Sequence, residues 1–289
     1  MMIVVTGGTG HVGRELVAQL AGSGAAVRAV TRRPGAVAFP AGVEVVKGDF
    51  DDRASLIAAF RDAEGLFLMS AQPIGSAQHP THDLGAVEAA LAAGVTRVVK
   101  LSVLDGGATE DPIGIWHREA EAAVTGSGLD WTLLRPGRFM SNALAWAPLI
   151  ARGDTVTIPF AFRPTAPIDP ADIAAVAAAA LTQGSHHHTA YPLSGPEVLT
   201  PADELRILAG VLHRDLRLLE PPIETTRSGM IAAGMAEPVV DAIVARALAG
   251  QDGAEVLPTV EQVLGRRPAT FSQWARNHAA AFRPEPGAF

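Results

Sequence analysis

Three glycines, two arginines and a serine carry the clearest chemistry in this 289-residue sequence. Gly7-x-x-Gly10-x-x-Gly13 follows the apolar, β-branched run Met2-Ile3-Val4-Val5-Thr6 and precedes Arg14-Glu15-Leu16-Val17-Ala18-Gln19-Leu20. Val12, Leu16, Val17 and Leu20 recur there at helical spacing. A buried strand, a glycine loop and a helix in succession form a seat for a dinucleotide pyrophosphate. Gly7 allows the tight turn, Gly10 lets the backbone approach the phosphates, and Gly13 lets the helix pack on the strand. The helix N-terminus adds oriented N–H groups and partial positive charge. Cofactor contacts are therefore expected from Gly7, Thr9, Gly10, His11 and Val12. A glycine triplet also marks ordinary turns, but here the strand and helix lie on the correct sides of it.

The second apolar strand, residues 26–31, runs into Arg32-Arg33-Pro34. An acid at that strand end would bond the ribose hydroxyls and repel a 2′-phosphate, whereas arginine accommodates the phosphate. The sequence has two arginines and no acid there, so Arg32 points to NADP(H) rather than NAD(H). The alternative is a pair of solvated loop charges. Ser102 ends the strand at residues 97–102. Ligands of doubly wound sheets bind outside such carboxyl ends, which places Ser102 to meet a nicotinamide or a substrate; the plainer reading is a turn serine.

Other reactive types are scarce or scattered. No cysteine is present, which removes disulfides, thiolate nucleophiles and cysteine-ligated zinc. His79 and His82 lie three apart in a Gly/Pro-containing stretch with no third ligand in evidence, so a solvated loop and no metal site is expected. His186-His187-His188 falls between a helix and a strand and reads as a polar turn. Asp169 precedes Pro170 at the head of an alanine-rich run, where it suits an N-cap better than catalysis, as does Asp172.

The elements that must position these residues alternate. Apolar strands at residues 43–47, 65–70 and 130–137 are interleaved with helices at 53–63, a helix marked by Leu84, Val87, Ala90 and Leu91 and ended by Gly94, and another at 113–125. That alternation predicts an α/β fold with a doubly wound parallel sheet. Residues 1–152 form its nucleotide-binding part, with 186–195 completing the sheet. Residues 153–289 form a smaller, mostly helical portion over the substrate, with helices at 202–213 and 227–249 and a last one containing Phe271 and Trp274. A net charge of −7 gives no attraction to nucleic acid or anionic lipid. No apolar stretch is long enough to span a bilayer, and the N-terminus lacks the basic region of a signal peptide. A cytoplasmic protein without a nucleic-acid or membrane partner is expected.

The glycine spacing, with Thr6 before it, resembles the extended and atypical short-chain dehydrogenases/reductases. His117-x-x-x-Glu121, then Ser127-Gly128-Leu129-Asp130-Trp131-Thr132-Leu133-Leu134-Arg135-Pro136, then Phe139-Met140-Ser141-Asn142 resemble the NmrA-like group of that superfamily. The resemblance runs from Ile3 to about Leu199. It implies a Rossmann fold binding NAD(P), with Asp49 and Phe50 beside the adenine, Ser70, Pro136 and Gly137 along the cofactor, and Gln72, Trp116, Phe139 and Asn142 towards the substrate. It also implies that Ser102 polarises a substrate carbonyl.

Reductases of the superfamily carry a Tyr-x-x-x-Lys pair on the helix after the fifth strand. Counting back from Gly128 puts those positions at Ile113 and His117, and the only tyrosine, Tyr191, lies far away. His117 is left to donate to a ribose hydroxyl, to act as an acid near neutral pH, or simply to pack beside Trp116. The expected function is NADP(H)-dependent reduction of an electron-poor ketone or quinone, a small aromatic compound, with Ser102, His117 or water assisting. Two alternatives stand beside it: a redox sensor that binds NADP(H) and acts through a protein partner, and an enzyme using the cleft for other aromatic chemistry.

Overall fold

A computed structural model describes residues 1–70, 72–104, 111–249 and 253–283. The first half runs β1 (Met2–Val5), α1 (His11–Gly22), β2 (Ala26–Thr31), β3 (Glu44–Lys47), α2 (Arg53–Phe60), β4 (Gly65–Leu68), α3 (Thr81–Ala93), β5 (Arg97–Leu101), α4 (Pro112–Thr125) and β6 (Asp130–Pro136). The second half runs α5 (Ala147–Arg152), β7 (Thr155–Thr157), α6 (Pro170–Thr182), β8 (Thr189–Leu193), α7 (Pro201–Leu212), β9 (Arg217–Leu219), α8 (Ile223–Ala232), α9 (Glu237–Ala249), α10 (Thr259–Leu264) and α11 (Phe271–Asn277).

Seven strands form one sheet in the order β3-β2-β1-β4-β5-β6-β8, and every pairing in it is parallel. The chain steps outward from β1 to β3, then returns to place β4 on the other side of β1. Loops after β1 and β4 therefore diverge, opening a crevice at the topological switch point. The strands flanking that crevice are buried on both faces: Ile3, Val4, Val5, Leu66, Phe67 and Leu68 have no exposed surface. Near-continuous apolar runs are what such strands require.

Helices α1 and α6 cover one face of the sheet, and α2, α3 and α4 the other. Asp169 caps α6 by accepting from the Ala171 N–H at 2.9 Å, as its place before Pro170 predicts. The buried face of α3 differs in detail from the expectation. Leu91 is 47% exposed, while Ala86, Ala89 and Ala90 are buried, because the small alanines let α3 lie close to the sheet. A third apolar cluster holds the C-terminal portion together, with Trp146, Ile150, Leu205, Leu208, Phe271 and Trp274 at its centre.

Two expectations about that portion need correction. The helix expected at 227–249 is two helices, broken where Gly234 takes a φ of +90°. Only glycine enters that region without strain. The three-residue strand β9, paired in parallel with β7, is too short to leave a periodic signature. The histidine triplet braces β8 against β6. His186 Nδ1 lies 2.8 Å from the Tyr191 hydroxyl, His187 lies 3.5 Å from Asp130, and His188 packs edge-on against Trp131.

Candidate active site

The nucleotide end of the crevice is made of backbone. Gly7 has a φ of +63°, and a Cβ there would fall 2.9 Å from Met69 Sδ. A Cβ on Gly13 would fall 2.2 Å from the Gly7 carbonyl oxygen, so α1 can approach the loop only as glycine. The Gly10 N–H donates to Gly7 O at 2.9 Å and closes the turn. Gly10 then caps α1 without any side-chain hydrogen bond, which leaves the first-turn N–H groups for an anion. Thr6 Oγ1 ties the ends of β1 and β4 together, donating to Phe67 O and accepting from the Met69 N–H at 2.9 Å. Thr9 is exposed on the loop and His11 at the start of α1, whereas the Val12 side chain is buried in the core and offers only its backbone.

Arg32 and Arg33 are exposed at the end of β2, with no ion-pair partner among the described residues. At the end of β3, Asp49 accepts from the Asp51 N–H at 3.2 Å, and the Phe50 ring stacks on His82 with centroids 5.5 Å apart. His82 lies 2.9 Å from Asp51 and His79 2.8 Å from Glu119; the two histidines engage different carboxylates. An uncapped helix start, a loop admitting only glycine and two unopposed guanidiniums at the ribose end of β2 fit a dinucleotide with a 2′-phosphate.

Beneath the middle of the crevice lies a charged network that sequence reasoning missed. Lys100 sits inside β5 and pairs with Asp83 of α3 at 3.1 Å, both side chains only 3% exposed. Ser70 Oγ donates to the other Asp83 oxygen at 2.7 Å, and Lys100 Nζ donates to Leu101 O at 2.6 Å. The one signal for it is a lysine in the otherwise apolar Val98-Val99-Lys100-Leu101, since lysine is seldom fully buried unless paired.

On α4, Glu121 accepts a two-pronged contact from Arg135 of β6 at 2.9 and 2.5 Å. Burial alone would raise the Glu121 carboxyl; Arg135, with help from the Ser102 hydroxyl, holds it below the usual range. Ser102 Oγ is itself buried without a closed hydrogen bond. His117 lies on the same helix. Burial, reinforced by the Lys100 charge, lowers its pKa to about 4. That direction favours the uncharged, hydrogen-bonding form of His117 at neutral pH.

A cavity of about 660 Å³ continues from the sheet edge. Val103 and Leu104 beyond β5, Gly137 beyond β6 and Ile113 at the start of α4 form one wall; the other comes from Asn142, Trp146 and the stretch Thr157–Thr165. Ile113 occupies the position the resemblance gives to tyrosine, and it offers no proton. Gly137 and Asn142 thus line the cavity, and Pro136 ends β6 beside it. Gln72, Trp116 and Phe139 do not. The Gln72 amide bonds Thr81 and the His82 N–H at the head of α3, Trp116 is buried in the helix layer, and Phe139 packs on the α1/α6 core. From the far side, Arg246 of α9 reaches Asp111, the N-cap of α4, at 2.6 and 2.9 Å.

A parallel sheet whose strand order reverses at a glycine-lined crevice, with an open cavity beyond the carboxyl ends of β5 and β6, defines a nicotinamide-nucleotide-binding protein of the Rossmann type. The chain belongs to the NAD(P)H-binding family, whose model matches residues 7–184, and with its reductase relatives it is an NAD(P)H-dependent reductase. It is 41% identical to a (4-alkanoyl-5-oxo-2,5-dihydrofuran-3-yl)methyl phosphate reductase of Streptomyces griseus, over 98% of this chain and 100% of that one. It is 34% identical to an NAD(P)H azoreductase of Xenophilus azovorans, over 97% and 99%. Among solved structures, an NADPH-dependent quinone oxidoreductase of Escherichia coli complexed with NADPH shares the fold with a TM-score of 0.78 at 23% identity, over 96% of this chain and 99% of that one. No described helix is long and apolar enough to cross a membrane.

Proposed function

We propose that the protein uses NADPH to reduce a small, electron-poor unsaturated carbonyl compound of the quinone or activated aromatic ketone type. One observation carries this reading: the cavity wall holds Ile113 where a proton-donating tyrosine would stand, and no Asp, Glu, His or Tyr lines it among the described residues. When bound, the reduced nicotinamide supplies a hydride. An acceptor that spreads the arriving negative charge over a conjugated carbonyl needs hydrogen-bond donors, not an acid. The names of the two relatives, a reductase of an alkanoyl-oxodihydrofuranyl phosphate and an azoreductase, support such an acceptor.

In this reading Gly7, Thr9, Gly10, His11 and Val12 hold the pyrophosphate, and Arg32 holds the 2′-phosphate. Asp49 and Phe50 flank the adenine, and Ser70, Pro136 and Gly137 border the nicotinamide end. Ser102, buried at the end of β5 beside Glu121, donates to the acceptor oxygen. Neutral His117 donates to a ribose hydroxyl or to the same oxygen, and Asn142 faces the substrate. Gln72, Trp116 and Phe139 support the walls from behind. The test is steady-state NADPH oxidation with a panel of quinones and aromatic ketones. Turnover is expected with quinones and activated ketones and not with simple ketones. Tight NADPH binding without turnover across the panel would overturn the reading in favour of a nucleotide sensor.

A further inference from the structure

We infer that Asp83 and Lys100 are positioning residues for the cofactor. They fix the Ser70 hydroxyl as a hydrogen-bond acceptor, so that Ser70 takes a hydrogen bond from a donor at the nicotinamide end of NADP(H). This rests on the cofactor placement given above and deepens it, and it holds whichever compound the enzyme reduces.

Stability does not account for the pair. Lys100 stands in β5 between Val99 and Leu101, and its side chain is as fully buried as that of Asp83. Withdrawing two charges from water costs about what their attraction returns, and apolar side chains of similar size commonly hold such layers together as well or better. What the pair does is reach the switch point of the sheet. Lys100 lies in register with Leu68 of β4, two residues before Ser70. Asp83 is in the first turn of α3, where a helix N-terminus favours a carboxylate. Its Oδ1 lies 3.1 Å from the Lys100 ammonium, and its Oδ2 accepts from Ser70 Oγ at 2.7 Å.

These contacts decide the polarity of the Ser70 hydroxyl. A hydroxyl has one hydrogen to give and two lone pairs to offer. A carboxylate paired with an ammonium has no hydrogen of its own, so the Ser70 hydrogen goes to Asp83 and lone pairs are left for a ligand. Donating to a carboxylate also makes the hydroxyl a stronger acceptor, because hydrogen bonds in a chain polarise one another. Unlike Asp83 and Lys100, Ser70 is only half-buried. Its backbone is held from the preceding residue: the Met69 N–H donates to Thr6 Oγ1 at 2.9 Å, and Met69 packs against Gly7. Ser70 therefore stands beside the glycine loop at the carboxyl end of β4. Two kinds of donor belong to the nicotinamide end of the cofactor, the carboxamide N–H and the ribose hydroxyls, and an acceptor-only Ser70 suits either.

The test is a double-mutant cycle read by binding, with fluorescence titration of NADPH and NADH. Ser70→Ala should weaken both nucleotides about fivefold in the wild-type background, the size of one uncharged hydrogen bond. In the Lys100→Met/Asp83→Leu background nothing orders the hydroxyl, and the same change should cost less than about twofold. Thermal melts establish that each variant is folded. Asp83→Asn is the second background should that double variant fail to fold: Lys100 keeps the amide oxygen, the amide N–H turns to Ser70, and the cost of Ser70→Ala should shrink there too. An equal cost in every background would reduce the pair to structure, and no cost in the wild type would remove Ser70 from the cofactor; either result overturns the inference. Titration with NADP+ and its acetylpyridine analogue, which has a methyl ketone in place of the carboxamide, then tells the donors apart. A loss confined to NADP+ makes the carboxamide the donor, and an equal loss for both makes it a ribose hydroxyl. Coupling between Ser70 and the pair in a protein that reduces no quinone or ketone would leave the inference standing and sink the reductase reading, whereas turnover without coupling does the reverse.

Discussion

The two ends of this site are built on opposite plans. The nucleotide cradle is a contiguous run, Gly7 to Gly13, whose working groups are backbone N–H and whose shape comes from missing side chains. The cavity draws its walls from β5, α4, β6, the stretch 142–165 and α9, and its working groups are side chains that meet only after folding. A site of the first kind is intolerant of added atoms and indifferent to distant sequence. A site of the second kind tolerates small additions and depends on remote ion pairs to hold its walls.

Exchanging glycine for alanine at each end should expose this difference most strongly. Gly13→Ala puts a Cβ 2.2 Å from the Gly7 carbonyl, whereas the same change at Gly137 meets Leu104 at an ordinary 3.6 Å. We expect Gly13→Ala to lower NADPH affinity more than 100-fold and to melt early, and Gly137→Ala to keep NADPH binding within about threefold. Fluorescence titration and thermal melts check both; equal tolerance at the two positions would erase the contrast.

Below the crevice, where the two plans meet, Lys100→Met strands the Asp83 carboxylate among buried groups. Breaking a buried pair costs ~3–5 kcal/mol, readable by chemical denaturation. A Lys100→Met/Asp83→Leu double variant should recover much of that loss, and a double variant no more stable than the single would show that the pair does not act as a unit.

His117 sharpens the comparison through pH. Its pKa of about 4 in the folded chain lies below the ordinary 6.5. The folded state thus binds fewer protons than the unfolded chain between those values. The stability this represents is full above pH 6.5 and is lost as pH falls through about 4, by at most ~3 kcal/mol. His117→Gln should remove that part of the acid sensitivity. Turnover should carry no inflection from this histidine between pH 6 and 8. An inflection near 6.5 that vanishes in His117→Gln would restore it as a titrating acid.

Arg32→Ala gives the smallest effect, confined to one cofactor. Losing one charge-assisted contact to the 2′-phosphate costs ~1.5–3 kcal/mol, roughly tenfold to somewhat over a hundredfold in NADPH affinity. NADH binding should stay nearly unchanged. Equal weakening of both nucleotides would make the arginine structural.

What the sequence determined by itself follows the same division. Glycine spacing, strand hydrophobicity and caps such as Asp169 are local, because φ, ψ and main-chain hydrogen bonds depend on neighbours a few residues away. From these came the parallel sheet, the phosphate loop and the Arg32 strand end. The strand β9 and the break at Gly234 escaped because three residues carry no period and one glycine does not announce its φ. Tertiary structure alone decided the rest. Gln72, Trp116 and Phe139 do not line the cavity, while Asp83 and Lys100 were joined across 17 positions. Arg163 and Arg246 were brought to one cavity across more than 80. The reason is physical: a side chain's charge state and partners are fixed by burial and by which groups approach within a few ångströms. His117 shows it in one residue, its place on a helix written in the sequence and its neutrality set only by the packing around it.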